Sequence, residues 1–213
     1  MSTIPGSGIL SAILDVIAQS LLLPVMILLV IFVIIVLIEI GGIIAERVSR
    51  TTLSEKELDY LINNIAESET SEEIINYINS CKLQNKYKEI LVHIVKTSNL
   101  KENTREAYVR ELIENEEFKI SKTLRRTDIV TRVSSGCGLL GTLIPLGPGL
   151  AALGTGDVAT LSSQLAIAFN TTTVGLTASL LSYTISKIRR GWYEEDISVI
   201  YTITEAIVEV DYD

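Results

Sequence analysis

"GLLGTLIPLGPGL", residues 138–150, is apolar enough for a lipid bilayer, yet its thirteen residues include four glycines, two prolines and one threonine. A helix that only has to dissolve in lipid has no use for so many helix-weakening residues. A helix packed closely against others does, because small residues let backbones approach each other. The stretch therefore reads as part of a membrane bundle. It sits within an apolar block from about Val133 to Leu153. A second such block runs from about Leu165 to Ile185, and the strongest one from Leu21 to Ile38, where only Pro24 interrupts the aliphatic run. Each block is near the roughly 20 residues that cross a ~30 Å hydrocarbon core.

The flanks fix an orientation. Residues 1–20 contain no Lys or Arg, and neither does the connector "GTGDVATLSS". Residues 46–132 are rich in them, including Arg47, Arg50, Arg125, Arg126 and Arg132, and the third block is followed by Lys187, Arg189 and Arg190. Positive charge stays inside. The pattern predicts an all-α integral membrane protein: an external segment over 1–20, a first crossing over 21–40, and a cytoplasmic helical region over 41–132. A second crossing over 133–153, a short external loop over 154–164 and a third crossing over 165–186 follow. A cytoplasmic helix or tail over 187–213 completes the chain. The expected location is the cell membrane, with lipid as the solvent. The first block lacks a basic n-region, and its apolar core exceeds the 7–15 residues typical of a cleaved signal, so it reads as a retained helix.

The net charge of −8 comes mostly from Asp and Glu interleaved with Lys and Arg in the middle region, which is the pattern of a solvated helical surface. No basic stripe suggests nucleic acid. In "LSEKELDYLINNIAES", Ser54 precedes Glu57 by three residues, a capping-box spacing, and Leu58, Leu61, Ile62 and Ile65 share a face. Ile74, Ile75 and Ile78 form the next apolar face, and Tyr87, Leu91, Ile94 and Val95 the one after. From about Thr104 the helical pattern enters the second block without Pro or Gly. From Leu165 to Val210 it continues without Pro, for about 70 Å at 1.5 Å per residue. Long helices that continue from the membrane into the cytoplasm are expected.

Chemical equipment for breaking covalent bonds is missing from the pattern, so no enzyme and no cofactor is expected. His93 is the one histidine and reads as a surface or packing residue. Cys81 and Cys137 fall in different compartments of the predicted topology and are not expected to pair, and metal-ligand spacing is absent. The crossings carry more information. In the second, Ser134, Gly138, Thr142, Pro145, Gly149 and Ala152 step by three or four. In the third, Thr172, Gly175, Ser179, Ser182 and Ser186 make one stripe, and Ala166, Asn170, Thr173, Thr177 and Thr184 another. At about 100° per residue these two point in nearly opposite directions. One suits a neighbouring helix, the other a polar lumen or a partner. The competing reading is that each hydroxyl bonds its own preceding turn, as Ser and Thr do in membrane helices.

"GLLGTLIPLGPGL" in the second crossing, "TTTVGLTASLLSY" in the third and "LIEIGGIIAERVSR" at the exit of the first resemble the MotA/TolQ/ExbB proton-channel family. The order of the motifs and the three-crossing topology strengthen the likeness. The resemblance implies an ion-channel subunit of an energy-transducing rotary motor, forming a homopentamer around a dimer of an ExbD/TolR/MotB-like single-helix partner. The partner's membrane aspartate would carry the ion, since the crossings here hold no central carboxylate. By motif, Thr142 and Thr172 would line the ion route. Gly138, Gly149 and Gly175 would serve helix packing, and Pro145 and Pro148 would bend the second helix. Some relatives carry a glutamate where this chain has Ile167, and a proline further along the third helix. These departures leave proton and sodium both open as the ion. The alternative function is a non-conducting membrane scaffold that recruits partners through its cytoplasmic helices.

Overall fold

A computed structural model describes residues 7–98 and 100–210, and every described element is a helix. The elements are α1 (Ser7–Ser49), α2 (Glu55–Ala66), α3 (Ser71–Ser80), α4 (Asn85–Val95), α5 (Glu102–Gly154) and α6 (Val158–Glu209). Helices α1, α5 and α6 are each long and apolar enough to cross a membrane. Residues 1–6 of the expected external segment, and 211–213 of the tail, lie outside the described residues. The rest of that first segment, 7–20, is helical and continuous with the first crossing.

The chain divides into two compact units. One comprises residues 1–43 and 125–187, the other residues 44–124 and 188–213. In the first, Val25, Leu29, Phe32 and Val36 of α1 bury against Val130, Cys137 and Ala178. This core is narrow. Ile13, Val16, Leu23, Leu37, Leu143, Leu153, Phe169 and Leu180 are all at least half exposed. Exposed apolar surface on that scale suits a lipid surround or further subunits, not water.

Helices α5 and α6 form an antiparallel pair joined by residues 155–157. The link is short because two residues meet its demands. Gly156 takes φ 79°, a left-handed conformation that costs glycine little. Asp157 then caps α6: its carboxylate accepts from the Thr160 amide at 3.0 Å and the Thr160 hydroxyl at 2.5 Å. Those hydrogen bonds, the hydroxyl's first, hold the carboxyl below its ordinary range. The expected external loop is longer, eleven residues over 154–164. The cap lets α6 begin inside that span.

The second unit is a conventional core. Ile65, Ile74, Ile78, Leu91, Ile94 and Val95 are fully buried with Ile203 and Ile207 of α6. Each of α2, α3 and α4 is too short to be stable alone in water and is held by this apolar face. Ser54 caps α2 as its spacing predicts. Its amide donates to Glu57 at 3.0 Å, and its hydroxyl accepts from the Glu57 amide at 3.4 Å. The Ser54 contacts, with Lys82 nearby, lower the Glu57 carboxyl. His93 is exposed on α4 and lies beside Tyr108, Nε2 to hydroxyl 2.7 Å. Both cysteines are free.

Candidate ion pathway

The α5–α6 seam is built by small residues. An ideal Cβ placed on Gly138 would lie 3.3 Å from the Cα of Gly175, and one on Gly175 would lie 2.7 Å from the Cα of Gly138 and 2.8 Å from the Ser134 carbonyl oxygen. A Cβ on Gly141 would meet the Thr171 side chain at 2.5 Å, and one on Gly149 would meet Gln164 Cβ at 3.3 Å. Gly138 and Gly175 are thus back to back, and Gly149 meets α6 nearer the link.

Because the backbones are so close, hydroxyls reach across. Thr172 donates to the Gly138 carbonyl at 3.2 Å, Ser179 to the Thr131 carbonyl at 2.7 Å and Ser182 to the Thr127 carbonyl at 3.0 Å. Ser186 donates to the Asp128 carboxylate at 2.6 Å. The stripe Thr172, Gly175, Ser179, Ser182 and Ser186 therefore faces α5 along its length. The opposite stripe behaves differently. Thr173 and Thr184 donate to their own helix, to Phe169 and Leu180. Thr173 and Thr177 border a groove of about 260 Å³ with Val33, Val36 and Leu37 of α1.

Thr142 and Thr172 are both half-buried, but their hydroxyls are used differently. Thr142 donates back to Leu139 at 2.7 Å, within its own turn. Thr172 bridges to α5. No hydrogen bond among the described residues joins the two threonines. Pro145 is fully buried and Pro148 half-buried, both inside α5.

The sequence pattern singles out Ser134 but not its seam neighbours Thr127, Thr131 and Thr171. Thr171 is buried and donates to Ile167 and Ala168. Ser134 and Thr127 are 0% and 1% exposed, and neither hydroxyl has a hydrogen-bond partner among the described residues. Thr127 and Thr131 precede the expected start of the second crossing. The signal was the three- and four-residue step itself, since 127, 131, 134 and 138 continue one helical face.

A second polar cluster occupies the other unit. The Arg50 side chain, 6% exposed, donates to Asp196 at 2.8 Å, to Glu195 at 2.9 Å and to the Trp192 carbonyl at 3.0 Å. Asp196, 8% exposed, also accepts from Tyr87 at 3.3 Å and Gln84 at 3.4 Å. Burial alone would lower the Arg50 pKa, but the hydrogen bonds to Asp196 and Glu195 outweigh it and raise it. Burial, then Asp196 and Glu116, push the Tyr87 phenol far up. Burial, then Glu46, do the same to Tyr193. Arg189 donates to Glu46 at 3.0 Å. Arg47 and Arg50 both lie near the Trp192 ring, at 5.8 and 5.5 Å from its centroid. This cluster can hold a fold together. The seam, with part-exposed hydroxyls in apolar helices, can order water or briefly coordinate a cation. Among the described residues no group of three His, Cys, Asp or Glu is placed to hold a metal.

A comparison with curated proteins gives no match. A family model described as the MotA/TolQ/ExbB proton channel family matches residues 71–201, more than half of the chain.

Proposed function

Because the chain belongs to the MotA/TolQ/ExbB proton channel family, we propose that it is the channel subunit of a rotary energy transducer, with Thr142 and Thr172 on the ion route. The family is one of channels and transducers, whose members work with ExbD/TolR/MotB-type partners. In this reading five copies surround a dimer of a single-helix protein whose membrane aspartate carries the ion. Ion flow turns the partner against the ring. The observation that carries the proposal is the partial exposure of Thr142 and Thr172, next to seam hydroxyls such as Ser182 that are sealed. A half-buried hydroxyl can hand an ion on because it holds no charge. Gly138, Gly149 and Gly175 keep the helices close enough to present it, and Pro145 and Pro148 free carbonyls for the same purpose.

The test is flux through vesicles containing this chain and the partner, with a pH-sensitive dye and a parallel sodium assay. Thr142→Val and Thr172→Val preserve shape and remove hydrogen bonds. Each should reduce flux several-fold while the assembled complex persists. Thr177→Val, on the opposite stripe, is the control and should conduct like the parent. Parental conduction by both Thr142→Val and Thr172→Val would remove these residues from the route. No flux in any form of the assembled complex would favour the scaffold instead.

The proposed orientation has the N-terminus outside and both the 41–132 region and the C-terminus inside the cell membrane. Single cysteines at Ser7 and Thr160 should react with an impermeant maleimide added to intact cells. Cysteines at Ser54 and Thr202 should react only after lysis. Labelling of Ser7 and Ser54 from the same side would overturn three crossings.

A further inference from the structure

One groove in the second unit has no part in the ion route. It lies between Glu106–Glu114 of α5 and Tyr201–Glu209 of α6 and has a volume of about 460 Å³. Its floor is apolar, with Val109 and Ile113 buried at 7% and 3% exposure. Its rim carries four exposed carboxylates, Glu106, Glu114, Glu205 and Glu209. Among the described residues the single cation on that rim, Arg110, is paired with Glu106 at 3.3 Å. The negative field reaches Tyr201, whose phenol is raised by burial and then by the Glu117 and Glu114 carboxylates. Thr204 adds a separate sign of a missing ligand. It lines the groove, is 5% exposed, and its hydroxyl has no hydrogen-bond partner among the described residues. A buried hydroxyl is normally satisfied.

The carboxylates are not grouped as metal ligands, so a point cation is a poor occupant. An extended basic one fits better: apolar residues for the floor, ammonium or guanidinium groups for the rim, and one donor for Thr204. We propose that this groove docks a Lys/Arg-bearing amphipathic helix, the cytosolic flank of the single-helix partner. The assignment of the occupant rests on the channel reading above. A single-helix membrane protein carries its excess of Lys and Arg on the inner flank, on the side where the groove lies in that reading.

The probe is a fluorescent synthetic helix with leucines at three- and four-residue spacing and lysines on the other face. It is titrated against the full-length chain in nanodiscs of uncharged phosphatidylcholine, with anisotropy as the readout. Micromolar binding is expected at about 50 mM salt, weakening several-fold by about 300 mM as the rim charges are screened. The combined variant Glu114→Gln, Glu205→Gln, Glu209→Gln changes only exposed side chains, so it should melt like the parent and bind the probe at least tenfold more weakly. Thr204→Val should weaken binding about threefold. Unchanged binding to the triple variant, or equal binding of a peptide with glutamates in place of the lysines, overturns the proposal. So does a triple variant that loses its oligomer while the parent ignores the probe, because the groove is then a contact between copies. The assay needs neither flux nor the partner. A chain that binds the probe but never conducts sinks the channel reading alone, and one that conducts but ignores the probe sinks this one alone.

Discussion

Gly175→Leu is expected to dismantle the α5–α6 pair, and Gly175→Ala to weaken it measurably. The asymmetry between the two seam glycines makes the test specific. A Cβ at 175 meets three backbone atoms of α5, the Gly138 Cα at 2.7 Å, the Ser134 oxygen at 2.8 Å and the Gly138 nitrogen at 3.0 Å. Backbone has no rotamer to escape into, so the helices must part. A Cβ at 138 has its tightest contact at 3.3 Å, which a few tenths of an ångström relieve. Overpacking of this kind costs about 1–3 kcal/mol for a small addition. Separation also stretches the Thr172–Gly138 and Ser179–Thr131 hydrogen bonds, each worth roughly 0.6 kcal/mol in a membrane protein. Thermal unfolding in mild detergent should rank the parent above Gly138→Ala, Gly138→Ala above Gly175→Ala, and Gly175→Leu last. In the proposed assembly, native mass spectrometry should find no intact oligomer for Gly175→Leu. A parental melting curve for that variant would mean the helices are not held at this distance.

Asp196→Ala should be the most damaging single change outside the expected membrane crossings. The substitution leaves Arg50 buried with only Glu195, 59% exposed, and the Trp192 carbonyl to answer it. It also strips Tyr87 and Gln84 of their shared acceptor. Breaking a buried pair from one side typically costs about 3–5 kcal/mol, because the remaining charge stays desolvated. Glu195 keeps the loss towards the lower end. The double variant Asp196→Leu with Arg50→Met removes both charges and should recover much of the stability, which a double-mutant cycle by denaturant unfolding would show. If Asp196→Ala unfolds like the parent, Arg50 is solvated by some other route and the cluster has no structural weight.

The helices were legible because their signals are local. The Ser54–Glu57 box, the four-residue apolar steps of α2 to α4 and the absence of proline and glycine between Thr104 and the second apolar block each act within one or two turns. The two stripes on α6 were legible too, but spacing left open which of them faces α5; the close approach at Gly138 and Gly175 assigns the glycine- and serine-bearing one. Thr142 was harder. A threonine on a small-residue stripe can donate outward or to its own turn, and composition does not distinguish the two. The structure turns it to Leu139. Arg50 was out of reach for another reason. Its partners lie about 145 positions away in the chain, and only tertiary packing brings them together. The Asp157 cap escaped because acidic residues in connectors are common, while the shortening it causes depends on geometry at one residue.

The three-residue link bears on how the chain is made. During synthesis α5 emerges before α6, and its apolar stretch carries Ser134, Thr142 and two prolines, which a translocon reads as a poor membrane segment. The complementary hydroxyls and glycines arrive on α6 after only residues 155–157. Paired, the two segments hide each other's polar groups, with Ser179 and Ser182 already donating to α5 carbonyls. The second and third crossings are thereby suited to enter the bilayer together as a helical hairpin, and biogenesis would favour keeping that link short even if the mature complex tolerated a longer one.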